Sequence, residues 1–203
     1  MRMMRVPAIC LMLTLSSAGL AEQPPSEEPP SDLQRIMQAA YAQVGVTLRY
    51  DPSYVSIPFP GGDVPIDRGV CTDVIVRAYR SIGVDLQLLV NQDMRKAFPV
   101  YPRKWGLSRP DPSIDHRRVE NLAVFFARHG RSLPMTKEAS DYKPGDLVTW
   151  VLPGGLPHIG LASDRSAGGR PLIVHNIGAG AQVEDILFAF TISGHYRYLP
   201  GKD

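Results

Sequence analysis

The chain has 203 residues, of which 44% are hydrophobic and 21% are charged; these values are ordinary for one soluble globular domain and exclude disorder, collagen and coiled coil. Its 18 glycines and 19 prolines predict many turns and exclude a pure helix bundle. The formal net charge is +2, and removal of a predicted leader that contains Arg2 and Arg5 brings it to zero. A nearly neutral protein is a poor candidate for nucleic-acid binding.

Residues 1–21 have the features of a secretory signal peptide. Two arginines precede an apolar stretch over residues 6–15, and Gly19 and Ala21 supply the small residues of a cleavage site. A membrane anchor is the alternative, but the stretch is short for a spanning helix. A lipid anchor at Cys10 is disfavoured because the apolar stretch continues beyond it. We therefore predict a periplasmic or secreted protein with no transmembrane segment after leader removal.

Export would leave Cys71 as the one cysteine of the mature chain, which excludes an intramolecular disulfide. A single thiol in an oxidising compartment is a partner in an intermolecular disulfide, a reactive group or a small buried hydrophobe. The chemistry of its neighbours decides among these three roles.

Residues 22–30 are rich in proline and glutamate and predict an extended linker, followed by one domain over residues 31–203. Ser31 and Gln34 form a capping-box pattern that starts a first amphipathic helix. Residues 46–68 hold several prolines, so we expect irregular structure there, with one short strand at most.

Three further helices follow from apolar residues at helical spacing. They are expected to start near Cys71, after Asp85 and after Asp115, and the first helix is expected to run to Gly45. The proline-rich residues 99–112 are expected to be irregular.

The second half of the chain has the pattern of an antiparallel sheet. Short β-branched or aromatic runs between Pro and Gly turns predict strands over residues 146–151, 158–163, 172–177 and 196–199. Helices first and strands afterwards indicate an α+β domain, with Cys71 at a helix N-terminus that packs on the C-terminal sheet.

Cys71 has the position of an activated nucleophile. The positive end of a helix dipole stabilises a thiolate, and the free N–H groups of the first turn can receive an oxyanion. His158 opens one predicted strand and His175 lies in the next, where adjacent antiparallel strands can bring them together. We therefore predict Cys71 as nucleophile, His158 as general base and His175 as the orienting residue. A one-residue shift of register would put Asn176 in the place of His175.

The motifs around these residues resemble those of a known group of proteins. The motifs GVCTDVI at residues 69–75, KPGDLV at 143–148 and HIGL at 158–161, followed by a strand that ends in His175, resemble the NlpC/P60 group of papain-like cysteine peptidases and amidases. The segments at residues 51–54, 61–65 and 114–119 resemble a bacterial family catalogued as a domain of unknown function within that superfamily.

The resemblance implies a papain-like, NlpC-like fold that hydrolyses amide bonds through a thioester, with peptidoglycan stem peptides as the substrate. It departs from the usual Asp-Cys-Ser pattern, since Val70 and Thr72 flank the cysteine here. In that group a tyrosine upstream of the cysteine helps to form the oxyanion hole, which makes Tyr50 or Tyr54 a candidate. No cofactor is implied.

Two other functions use the same residues. An acyltransferase would resolve the thioester with an amine or a hydroxyl group in place of water. A non-catalytic module that binds the cell wall or a protein partner would keep the fold and would tolerate the loss of Cys71.

The remaining candidates concern binding. A basic, proline-rich stretch over residues 95–118 contains Arg103 and Trp105, which we predict to contact anionic groups of the substrate, or else to form a solvated loop. Asp73, two residues after the cysteine, is a further candidate contact. The other histidines, namely His116, His129 and His195, are interpreted as structural. No metal site is predicted, because closely spaced ligand pairs are missing from the sequence.

Overall fold

Within residues 29–200, four α-helices precede the main sheet. The computed structural model describes residues 29–200, so the predicted leader and all but the last two residues of the predicted linker lie outside the described residues. The helices are α1 (Asp32–Tyr41), α2 (Cys71–Arg80), α3 (Leu86–Ala97) and α4 (Val119–His129).

The predicted helix starts are confirmed where a side chain caps the backbone. Ser31 accepts a hydrogen bond from the N–H of Gln34 at 3.3 Å, and the Gln34 side chain accepts one from the N–H of Ser31 at 2.7 Å. Asp85 caps α3 in the same way, through the N–H of Gln87. The first helix ends at Tyr41, earlier than expected, and turns continue the chain to Gly45.

The predicted start of α4 after Asp115 is wrong. Residues 115–117 form a separate 3-10 turn, and α4 begins at Val119. The Asp115 carboxylate accepts hydrogen bonds from the N–H of Asp111 at 2.6 Å and from the Arg118 guanidinium at 2.7 Å. This carboxylate stabilises the loop before the helix and does not cap α4.

The loop over residues 46–68 is held by one buried arginine. Its ends form two short parallel strands, β1 (Arg49–Tyr50) and β2 (Arg68–Gly69). Arg77 of α2 donates to both carboxylate oxygens of Asp63, at 2.9 and 3.1 Å, and to the carbonyl oxygen of Arg68 at 3.0 Å. The loop is irregular as predicted, but it has two short strands where one at most was expected.

The main sheet is six-stranded and antiparallel, which confirms the α+β prediction. Its order is β3-β8-β4-β5-β6-β7. The strands are β3 (Arg131–Ser132), β4 (Leu147–Val151), β5 (Pro157–Ala167), β6 (Arg170–Asn176), β7 (Ala181–Glu184) and β8 (Thr191–Arg197). Strands β3 and β7 were not predicted, and β8 begins five residues before its predicted start.

Both faces of the sheet are covered. Leu147, Leu161 and Val174 belong to the core formed with the helices. Their chain neighbours Val148, Ala162 and Ile173 pack in a second cluster with Trp150 and Leu187. Since successive side chains of a strand point to opposite faces, the two clusters lie on opposite sides of the sheet.

Gly160 of β5 has no room for a side chain against the neighbouring strand β6. A Cβ atom at this position would lie 2.4 Å from Cγ2 of Ile173 and 3.3 Å from Cβ of His175. We expect Gly160→Ala to lower the free energy of unfolding by about 1–3 kcal/mol, the usual cost of overpacking. Urea denaturation measures this change.

The matched control is Gly178→Ala, because no atom lies within 4 Å of a Cβ at that position. Its effect should stay within about 0.5 kcal/mol, as for ordinary surface substitutions. Equal effects of the two substitutions would contradict the role assigned to Gly160.

Candidate active site

A cavity of about 430 Å³ lies at the start of α2, between the helical part and the sheet. Cys71, the first residue of α2, and His158, the second residue of β5, both line it. The remaining lining residues are Tyr50, Pro52, Val70, Lys104, Trp105, Ile114, Arg117, Arg118, Val119, Glu120, Leu152, Leu156, Pro157 and Ile177. The cavity therefore brings the predicted nucleophile and the predicted base to one site.

The thiol of Cys71 is almost completely buried, with 2% of the residue exposed. Burial, with a smaller contribution from the negative charge of Asp73, raises the pKa of the thiol to about 12, against the opposing effect of backbone hydrogen bonding to Ile159. The thiol is therefore neutral at neutral pH, and it needs a base before it can react.

A buried ion pair fixes the backbone in front of Cys71. Asp73 accepts a hydrogen bond from the N–H of Val70 at 2.7 Å, and its two oxygens accept from Arg117 at 2.9 and 3.0 Å. The side chains of Asp73 and Arg117 are only 4% and 2% exposed. Asp73 was predicted as a substrate contact, but its carboxylate is buried and is hydrogen-bonded within the protein.

The two histidines of the predicted site are in direct contact. Nε2 of His158 lies 3.1 Å from Nδ1 of His175. Burial and the neighbouring His175 lower the pKa of His158 to about 3, so its imidazole is neutral at neutral pH. Burial also lowers the pKa of His175, against the opposing charge of Glu184.

Asn176, the alternative third residue, points elsewhere. Its amide donates to the carbonyl oxygen of Gly69 at 3.0 Å and to that of Arg49 at 3.4 Å. Adjacent residues of a strand point to opposite sides, so His175 and Asn176 cannot both face His158. His175 is the residue that contacts His158. Asn176 instead connects β6 to both strands of the short parallel sheet by hydrogen bonds.

Glu184 was missed by the sequence analysis. One of its carboxylate oxygens lies 2.9 Å from Nε2 of His175, within ion-pair distance but without the angle of a hydrogen bond. The residue lies on β7, a strand of four residues that the sequence analysis did not predict. The available signal was the alternation of Ala181 and Val183 with polar residues after a glycine-containing turn.

The predicted substrate contacts are only partly at the cavity. Trp105 lines it, and the Arg118 guanidinium lies over its ring, 3.9 Å from the centroid. Arg103 is exposed and is not among the lining residues. Tyr54 is 60% exposed and donates to Asp111 at 3.2 Å. Arg103 and Tyr54, both predicted as site residues, are therefore not among the residues that line this cavity.

Tyr50 lines the cavity, unlike Tyr54. Burial, followed by the negative charges that Cys71 and Asp73 can carry, raises the pKa of the Tyr50 phenol to about 12. The hydroxyl group stays protonated at neutral pH and can donate a hydrogen bond into the cavity.

The other three histidines do not line this cavity. Both ring nitrogens of His195 are occupied, by Asp146 at 2.8 Å and by the carbonyl oxygen of Pro134 at 3.0 Å. His129 lies 2.9 Å from Asp93 at the end of α4. His116 is buried, which lowers its pKa to about 4.

Among residues 29–200, no helix combines the length and hydrophobicity that crossing a membrane requires. Within the same part of the chain, no group of three or more His, Cys, Asp or Glu side chains is arranged to hold a metal ion.

Comparison with known proteins identifies a family of unknown function and gives no indication of the expected group. Residues 37–198 match the family described as "Domain of unknown function (DUF1287)". The chain is similar to "Uncharacterized protein YijF" of Escherichia coli strain K12, with 57% identity over 164 residues that cover 80% of each chain.

The expected membership in the NlpC/P60 group is therefore wrong, because the matching family is the domain of unknown function. The expectation rested on a cysteine at a helix start and histidines on two strands. Such a constellation is defined by geometry and recurs on unrelated proteins, so it does not identify a family. The resemblance to a domain of unknown function is confirmed.

Proposed function

Because the chain belongs to the DUF1287 family of domains of unknown function, we infer its activity from the site itself, and we propose that it is an exported cysteine hydrolase of amide bonds. The observation that carries the proposal is a buried thiol at a helix start that shares a cavity with a neutral histidine, itself 3.1 Å from a second histidine. Export rests on the features of residues 1–21.

In the first half of the reaction, His158 takes the proton of the Cys71 thiol and the thiolate attacks the carbonyl carbon of the substrate. The N–H groups at the start of α2 and the Tyr50 hydroxyl group are the candidate donors to the resulting oxyanion. The amine then leaves with the proton from the His158 imidazolium, and a thioester to Cys71 remains.

In the second half, water attacks the thioester. His158 takes a proton from this water, the C–S bond breaks, and the proton returns to the Cys71 sulfur as the acid product leaves. The resting pair is a neutral thiol and a neutral imidazole, since burial disfavours each charge by itself. Proton transfer creates both charges together, and they stabilise each other.

The proposed substrate is a stem peptide of peptidoglycan. Three cationic side chains line the cavity, and each is paired with a carboxylate: Lys104 with Glu120 at 3.0 Å, Arg117 with Asp73 at 2.9 Å and Arg118 with Asp115 at 2.7 Å. Stem peptides carry carboxylates, which can replace Glu120 as the partner of Lys104, the most exposed of the three cations. Export to the compartment that contains the cell wall agrees with this substrate.

The first test follows the alkylation rate of Cys71 by iodoacetamide against pH, in the protein without residues 1–21. We expect the thiol to react near pH 7, because His158 can accept its proton. His158→Ala should move the onset of the reaction above the ordinary thiol pKa of about 8.5, since burial then acts alone.

The control is His129→Ala, which removes a histidine outside the cavity and should leave the profile unchanged. A thiol that reacts only above pH 9, or that has the same profile with and without His158, would contradict the activated pair. The proposal of a hydrolase would then give way to a binding module.

A further inference from the structure

The carboxylate of Glu184, on β7, lies beside His175 on the side away from His158. Nε2 of His175 is buried, and no hydrogen-bond partner is present for it among the described residues. An oxygen of Glu184 lies 2.9 Å away. The Glu184 side chain is 46% exposed, which leaves its carboxylate free to rotate toward this nitrogen.

The carboxylate determines the protonation of His175. An ionised carboxylate only accepts hydrogen bonds, so Nε2 of His175 has to carry the proton in order to be paired. A neutral imidazole has one N–H group, which leaves Nδ1 of His175 as an acceptor. The neighbouring carboxylate is thus what selects one of the two tautomers of a buried ring.

The tautomer of His175 determines the tautomer of His158. The 3.1 Å contact between the two rings needs one donor and one acceptor. With Nδ1 of His175 as acceptor, Nε2 of His158 donates, and Nδ1 of His158 keeps its lone pair. The opposite tautomer of His175 would put a proton on Nδ1 of His158, and that ring could not take the proton of a thiol.

We infer that Glu184 is a positioning residue that acts through His175 to keep Nδ1 of His158 unprotonated, and thereby makes His158 a competent base for Cys71. This inference rests on the proposed function and deepens it. It assigns a role to a residue more than a hundred positions after the nucleophile, on a strand that contributes no residue to the cavity lining.

The test combines imidazole ¹⁵N NMR spectra with Cys71 alkylation rates at pH 7 in the wild type, Glu184→Ala and Glu184→Gln. In the wild type we expect both His158 and His175 with the proton on Nε2. Glu184→Ala should mix the tautomers of both rings and slow alkylation about tenfold, a fraction of the roughly 10²–10⁴-fold contribution of a general base. Glu184→Gln offers an amide oxygen and should restore most of the rate.

Asp185→Ala is the matched control. It removes the adjacent carboxylate, which pairs with Arg170 of β6 and not with a histidine. Its spectra and rate should equal those of the wild type. A proton on Nδ1 of His158 in the wild type, or tautomers unchanged in Glu184→Ala, would overturn the inference. A wild-type thiol inert at neutral pH would overturn the proposed function instead, because the tautomers are measured without any reaction.

Discussion

Cys71→Ala is expected to reduce the release of peptide fragments from purified peptidoglycan by about 10⁴-fold or more, because it removes the atom that forms the thioester. Fragments are quantified by chromatography and mass spectrometry after incubation with the protein lacking residues 1–21. The substitution shortens a buried side chain by one sulfur atom, so the fold should survive. Thermal unfolding of the variant and its binding to sedimented cell walls provide the controls.

The result separates the classes of function. A binding module would tolerate Cys71→Ala in full, with unchanged attachment to cell walls and no fragments from either protein. A hydrolase loses turnover and keeps binding. Failure of the wild type to release fragments from any peptidoglycan preparation would contradict the proposed substrate. An added amine that is incorporated into the product would identify an acyltransferase, which uses the same Cys71 and His158.

Local patterns predicted most elements of the fold. The capping box of Ser31 and the cap at Asp85 depend on residues within one helical turn, so they are visible in the sequence. Strands β4 and β6 each contain β-branched residues and stand out for that reason. The proximity of His158 and His175 followed from the antiparallel order of β5 and β6.

Long-range partners were not predictable in the same way. The pairing of Asp73 with Arg117 joins residues 44 positions apart, and nothing local indicates it. Glu184 reaches His175 only because β7 pairs with β6, and a four-residue strand gives a weak periodic signal. Asp115 has the pattern of a helix cap but is used by Asp111 and Arg118, so tertiary contacts overrode a local preference.

The buried ion pair before Cys71 gives the largest expected effect on stability. Asp73→Ala should lower the free energy of unfolding by about 3–5 kcal/mol, because it leaves the Arg117 guanidinium buried without a counter-charge. It also leaves the N–H of Val70 without its acceptor. Urea denaturation measures the loss, which is a large fraction of the roughly 5–15 kcal/mol that stabilises a domain.

Asp185→Ala is again the matched control, since its ion pair with Arg170 is exposed and should contribute less than about 1 kcal/mol. Asp73→Ala combined with Arg117→Met should recover part of the loss, because no unpaired charge remains buried. Equal losses in Asp73→Ala and Asp185→Ala would contradict this account.

Asp73→Asn connects the same pair to the reactivity of the thiol. The amide oxygen can still accept from the N–H of Val70, so the loss of stability should be smaller than in Asp73→Ala. The substitution removes a negative charge that raises the pKa of Cys71 and leaves the positive charge of Arg117 nearby. Both changes favour the thiolate, and we expect alkylation of Cys71 to begin at lower pH than in the wild type. A shift to higher pH would mean that Asp73 acts on Cys71 by holding the helix start in place and not by its charge.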